Sequence, residues 1–203
     1  MKRFIVASCL SFVLAYGYMA SANAEGLRVG ARAGGAMNFF SVPDSPSEYD
    51  AGFGFGGGAA LKYPITEQLS VNPELGFYYR SLGGYSMGSE KITMPEMAIS
   101  IPVLAQYAPI ADVPFYAAAG VQLDIPFGSK YKHTYAGKSS SDDNKNRSSV
   151  DFALALGVGY MILPDLGADF RFAANLTQPF DENKAGYETS LMSIGLGVTY
   201  YFL

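Results

Sequence analysis

Apolar residues fall at every second position through most of this chain. Period two is the repeat of a β-strand, whose successive side chains point to opposite faces. Eight stretches carry it: Leu27–Phe40, Gly52–Tyr63, Leu69–Leu82, Ile92–Tyr107, Pro114–Ile125, Val150–Ile162, Leu166–Phe180 and Glu188–Phe202. Each is long enough for the ~9–11 tilted residues that cross a bilayer. The links between them alternate in length. Pro64–Gln68, Ala108–Val113 and Leu163–Asp165 are short. Ser41–Ala51, Gly83–Lys91, Pro126–Ser149 and Asp181–Tyr187 are mostly longer and more polar. Short turns in the periplasm and long loops outside the cell are the pattern of an outer-membrane barrel.

The two faces of the strands differ in kind. One face runs Met97, Ile99, Ile101, Val103, Ala105, Tyr107 in the fourth stretch and Phe152, Leu154, Leu156, Val158, Tyr160, Ile162 in the sixth. In the eighth it runs Met192, Ile194, Leu196, Val198, Tyr200, Phe202, again without a charge. A Lys or Arg at the middle of the bilayer costs about 2–4 kcal/mol, so lipid demands this absence. The other face collects Arg28, Arg32, Lys62, Glu74, Arg80, Glu96, Asp124, Asp151, Asp169 and Arg171, with Asn72, Gln106, Gln122 and Asn175. Small residues such as Gly54, Gly56, Gly159 and Gly197 sit between them and leave room for bulky neighbours. A soluble barrel has the opposite polarity; in water this outer face would be a very large apolar patch. The expected fold is therefore all-β: a transmembrane, up-and-down antiparallel β-barrel of eight strands. It must close, because an open edge leaves backbone groups unpaired in hydrocarbon.

Composition adds three points. Hydrophobic residues make up 49% of the 203 residues, yet no stretch after the leader has the ~18 consecutive apolar residues of a membrane-spanning helix. The leader itself has Lys2 and Arg3, an apolar core Phe4–Met19 and the small-x-small triplet Ala22-Asn23-Ala24. That layout predicts a cleaved signal peptide over 1–24 and a barrel over 25–203. The single cysteine, Cys9, falls in the leader. The net charge of −4 offers no basic field for nucleic acid.

The aromatics segregate to strand ends. Tyr63, Tyr107, Phe115, Tyr160 and Tyr200 lie near the short turns, and Phe39, Phe53, Tyr79 and Phe180 near the long loops. Two aromatic girdles at the membrane interfaces are expected from this. Pro73 and Pro102 fall inside strands, where each removes a ladder donor and should mark a bulge or bend.

The stretches Ala98–Tyr107 (AISIPVLAQY) and Pro114–Asp124 (PFYAAAGVQLD) resemble the PorT-like outer-membrane β-barrel domain family. Val150–Tyr160 (VDFALALGVGY) and Ser193–Phe202 (SIGLGVTYYF) are similar to its later strands. The resemblance implies fold and location, not one activity. The last strand also resembles an outer-membrane assembly signal, with its aromatic, Phe202, one place before the end. Outer-membrane lipid and the assembly machinery are the partners this implies.

Candidate chemistry is sparse. A barrel of about eight strands is just wide enough to be filled by side chains, so the interior charges should pair and plug the lumen. Asp169 and Arg171 share a face and predict a shared cluster near the periplasmic end. His133 is the only histidine and sits in a polar loop with Ser129, Ser139, Asp142 and Asp143. Nothing there positions a partner for it. Asp142, Asp143 and Asn144 do not follow a calcium-loop spacing. No catalytic, metal or cofactor site is expected. The loops, including Tyr49, Tyr85, Tyr131, Tyr135 and Tyr187, point to a structural or surface-interaction barrel that meets an extracellular or envelope protein. The segment Gly128–Ser149 is expected to be mobile. A small-solute channel is the alternative, with a lipid A-modifying enzyme behind it.

Overall fold

The computed structural model describes residues 26–42, 49–87, 90–110, 113–135, 138–180 and 189–202, with backbone alone at 85–87. The expected leader at 1–24 and Tyr187 lie outside the described residues. Among the described residues ten strands form: β1 (Arg28–Ser41), β2 (Gly52–Pro64), β3 (Leu69–Met87), β4 (Glu90–Tyr107), β5 (Phe115–Phe127), β6 (Lys130–Tyr135), β7 (Lys138–Asp143), β8 (Asp151–Leu163), β9 (Leu166–Asn175) and β10 (Ser190–Tyr201). All pair antiparallel. Eight of them close a ring in the order β1–β2–β3–β4–β5–β8–β9–β10, with β10 returning to β1 through twelve residue pairs from Gly30–Tyr201 to Ser41–Ser190. No helix among the described residues is long and apolar enough to cross a membrane. Every strand of the ring has a partner on both sides.

The outer surface carries the apolar residues. Leu156, Leu196, Val198, Val121 and Phe170 are exposed, Leu196 to 68%. The inner surface carries Arg32, Glu74, Arg80, Glu96, Asp124, Asp151 and Asp169, all buried. This inverted polarity is what hydrocarbon imposes on a barrel.

Two strands of the ring run beyond it. β3 and β4 continue past the rim, where β4 pairs with β6 instead of β5, and β6 folds back on β7. The segment expected to be mobile is thus a β-hairpin that extends the barrel wall. Its strands need no apolar run, because β4 supplies a ready-made edge to pair with.

The in-strand prolines shift no register. Pro73 pairs with Val103 and Pro102 with Gln122 in unbroken count. Each costs only local pairs on one side: the β2–β3 ladder skips from Ala60–Glu74 to Tyr63–Val71, and the β3–β4 ladder from Pro73–Val103 to Gly76–Ser100. The expected bulges lie elsewhere, at Ser81/Gly84 in β3 and Met161/Leu163 in β8. A proline lacks one donor, and the ladder that stays paired on its other side holds the strand in register.

Candidate functional site: the ion-paired lumen

Strand parity sends the charged residues inward, and they meet in two layers. In the inner layer, nearer the short turns, Arg32 of β1 faces Asp169 of β9. Its Nη2 donates to Asp169 Oδ1 at 2.8 Å, and its Nη1 donates to the other carboxylate oxygen and to Thr199 Oγ1 at 3.2 Å. Arg171 donates twice to Glu74 of β3, at 2.8 and 2.6 Å, and its Nε lies 2.8 Å from Asp169 Oδ1. Arg32 Nε is 3.5 Å from Glu74 Oε2, which closes the set. Two cations and two anions balance.

The outer layer has one arginine at its centre. Arg80 of β3 donates to Glu96 of β4 (2.9 Å), Asp124 of β5 (2.7 Å) and Asp151 of β8 (3.2 Å). Asp124 and Asp151 stand directly opposite each other across β5 and β8. Like charges so placed repel, and the arginines between them offset this. Gln122 Nε2 adds a donor to Asp124 at 3.0 Å.

A second cation completes this layer, and sequence reasoning missed it. Arg147, from the link between β7 and β8, turns inward. It donates to Glu96 at 2.7 and 3.0 Å, to both oxygens of Asp151, and to the Pro179 carbonyl at 2.6 Å. Burial works against its charge, but the hydrogen bonds to Asp151 and Glu96 prevail and hold the guanidinium above its ordinary range. One signal was available: Arg147 lies four residues before Asp151 at the start of a strand. Loop residues carry no parity, however, so alternation could not aim it.

Above the outer layer lies an apolar plug of Phe40, Leu82, Met94, Phe180 and Leu191, with Val42, Tyr49 and Tyr131 against it. Phe180, expected in the outer girdle, is only 1% exposed and belongs here. The reason is that β9 ends at Asn175, and the chain then turns over the barrel mouth. Phe180 packs edge-on to Phe40 at 5.3 Å, stacks with Tyr131 at 6.4 Å, and turns its ring face to the Arg147 guanidinium, 6.0 Å from its centroid. Phe39, Phe53, Tyr63, Tyr79, Tyr107, Phe115, Tyr160 and Tyr200 are exposed on the outer surface, joined there by Phe55, Phe77 and Phe127.

Two charges stand apart from both layers. Arg28 pairs with Asp165 in the short β8–β9 turn and lies 4.9 Å over the Tyr201 ring. Lys62 lies 5.9 Å over the Tyr116 ring and joins no ion pair among the described residues. Between the layers is a chamber of about 100 Å³, lined by Arg32, Tyr78, Arg80, Ser100, Gln122 and Asp124. One water needs roughly 10–15 Å³ of such volume, so several fit among these polar walls.

Glycines make the inner layer possible. A Cβ on Gly197 would lie 2.0 Å from Arg32 Nη2, and one on Gly159 would lie 2.2 Å from the Tyr116 ring. Arg32 is pinned by Asp169 and cannot easily withdraw. Gly197→Ala is therefore expected to destabilise the barrel by about 1–3 kcal/mol, the usual cost of overpacking. The urea midpoint in lipid vesicles, read by tyrosine fluorescence, checks this.

Among the described residues no cluster of His, Cys, Asp and Glu could hold a metal ion. His133 lies on β6, not in an open loop, with Nδ1 3.3 Å from Glu90 Oε1. Ser129 accepts from Asn144, Ser139 lies 3.1 Å from Thr134, and Asp142 and Asp143 are exposed on β7. None of these hydrogen bonds joins His133 to a hydroxyl.

No curated protein matches the chain significantly. Among solved structures, Neisserial surface protein A is similar at 17% identity, covering 88% of this chain and 100% of its own, with a TM-score of 0.51. Ail, the attachment invasion locus protein of Yersinia pestis, is similar at 16% identity over 86% of this chain and 98% of its own, with a TM-score of 0.49. The outer membrane protein OprG from Pseudomonas aeruginosa follows at 13% identity, 89% and 97% coverage and a TM-score of 0.46. At such identities the first of these speaks for the fold alone, and the other two carry no argument. The sequence itself matches the outer membrane protein beta-barrel domain over residues 19–181. With a closed eight-strand ring, an apolar exterior and an ionic lumen, the chain belongs to the outer membrane protein beta-barrel domain family and resides in the bacterial outer membrane.

Proposed function

We propose that this protein is a sealed, non-catalytic barrel that acts through its outer surface, where the β6–β7 hairpin and the neighbouring loops meet an extracellular or envelope partner. The observation that supports this is the packing of the lumen. Two ion-paired layers cross it, and the apolar plug caps the outer one. Passage of a solute would require breaking pairs whose partners lie buried, at about 3–5 kcal/mol for each charge left alone. We place the chain beside PorT-like barrels within its family on the strand motifs quoted above.

The chamber between the layers favours a second reading, a narrow channel for small solutes, if the layers open. Single-channel recording in planar bilayers separates the two. The sealed reading expects no steady conductance above background, and a stable open level sinks it. The enzyme reading rests on His133 and Glu90 alone. Lipid A from outer membranes containing the protein is expected to match that from membranes lacking it, and a change abolished by His133→Ala would overturn the non-catalytic assignment.

A further inference from the structure

The extension of the barrel wall has two faces, and its lysines lie on one of them. On β4 the odd-numbered residues point outward, from Tyr107 through Met97 to Lys91, as the alternation of burial shows. Phe127 of β5 lies opposite Met97, on the same outer face. Beyond it, Gly128 takes a positive φ of 62°, and the pairing with β4 gains one residue: Met97 faces Phe127, but Thr93 faces Lys132. The extra residue flips the parity. In β6 the even-numbered residues point outward, so Lys130 and Lys132 join Lys91 on the outer face. Tyr131 goes inward onto Phe180.

The three lysines form a compact group. Lys91 pairs with Thr134 and Lys132 with Thr93, so Lys91 and Lys132 are diagonal neighbours about 7–8 Å apart. Lys130 and Lys132 are spaced by two residues, about 7 Å along one strand. All three are exposed, and none takes part in an ion pair among the described residues. The remaining outward positions of β6 and β7 are Thr134, Ser139, Ser141 and Asp143, a single acid.

Their height matters most. They continue the same surface that carries Met97, Phe127 and Phe77, exposed and apolar, directly below. With strands tilted by about 40°, each two-residue step rises about 5 Å. Lys130, Lys132 and Lys91 then stand roughly 5, 10 and 15 Å above the last apolar rung, from the headgroup zone of the outer leaflet upward, and the long stems of the upper two let their ammonium groups reach down toward it. Cations at this level, on a face contiguous with the lipid-covered wall, meet whatever anionic groups the surrounding lipid carries.

We propose that Lys91, Lys130 and Lys132 form a docking face for the phosphate groups of the outer-leaflet glycolipid. The site holds lipid against the extended wall and steadies the hairpin above the membrane. It follows from the placement of the wall in the membrane and does not depend on whether the lumen conducts.

The test uses the whole barrel, stripped of lipid in a neutral detergent and titrated with bisphosphorylated lipid A, with bound copies counted by native mass spectrometry. A lysine near an anionic surface contributes about fivefold in affinity. The triple variant Lys91→Gln/Lys130→Gln/Lys132→Gln is expected to bind on the order of a hundredfold more weakly, and the triple Lys→Arg variant to bind like the wild type. Lys138→Gln/Lys145→Gln, which removes cations outside this face, is expected to change binding by less than about twofold. Dephosphorylated lipid A is expected to lose the lysine-dependent part. Unchanged binding by the triple Gln variant overturns the proposal, and so does equal loss in the Lys138/Lys145 control. Displacement of lipid A by inorganic phosphate at matched phosphate concentration would assign the face to a free anion. A heparin fragment that binds through the same lysines more tightly than lipid A would assign it to a soluble polyanion. Either result overturns the lipid assignment.

Discussion

Arg80→Ala is expected to destabilise the barrel by about 3–5 kcal/mol, because it leaves a buried carboxylate cluster short of a counter-charge. Glu96, Asp124 and Asp151 all accept from Arg80, and only Arg147 would remain to serve them. Arg147 does not reach Asp124 by any hydrogen bond among the described residues, so Asp124, opposite Asp151, bears most of the loss. Arg80→Lys should recover only part of it, since an ammonium cannot fork toward three carboxylates as a guanidinium does. Adding Asp124→Ala to Arg80→Ala should recover stability by removing the stranded charge. Urea-dependent unfolding in lipid vesicles, followed by tyrosine fluorescence and far-UV circular dichroism, measures all three. A loss below about 1 kcal/mol for Arg80→Ala would mean that the layer is solvated like a surface pair, and the sealed lumen would fall with it.

Leu156→Arg is the matching experiment on the other side of the wall. Leu156 lies midway along β8, points outward and is 57% exposed. An arginine there enters the bilayer midplane and is expected to cost about 2–4 kcal/mol. Ile162→Arg, at the short-turn end of the same strand and face, is expected to cost only about 0–1 kcal/mol, because depth sets the penalty. Both variants are compared in the same unfolding assay in vesicles. In detergent micelles, which deform around a charge, the gap should narrow. Equal costs at the two positions would place β8 outside the hydrocarbon and contradict the membrane assignment.

The parts of this molecule that were legible in its sequence are those that lipid controls. A residue in a membrane strand has two directions available, and hydrocarbon forbids charge in one of them. That is why Arg32, Glu74, Arg80, Glu96, Asp124, Asp151, Asp169 and Arg171 could be assigned to the interior from alternation alone. Legibility stops where that constraint stops. Arg147 and Phe180 lie in links, where no parity applies, and both turn into the mouth of the barrel. Alternation puts Phe180 in a girdle only if β9 runs five residues beyond Asn175, where it ends. The hairpin of β6 and β7 is too polar to announce itself. KYKHTY and KSSSDD pair because β4 outruns β5 and offers an edge. The one-residue gain at Gly128 decides which of their side chains face the membrane. A positive φ at a glycine is permitted by sequence but not required by it.

The seam between β1 and β10 has a consequence for how the molecule comes into being. Its partners are 149 to 171 positions apart along the chain, from Ser41–Ser190 to Gly30–Tyr201. Ring closure is thus among the most non-local events in the fold, and such contacts form slowly. Until it happens, both terminal strands offer bare edges that would template aggregation. The newborn ribbon must therefore be chaperoned until its tail meets its head. Once joined, the same geometry works in reverse: a hoop has no loose end from which to peel, and its disassembly must begin by tearing a full-length ladder.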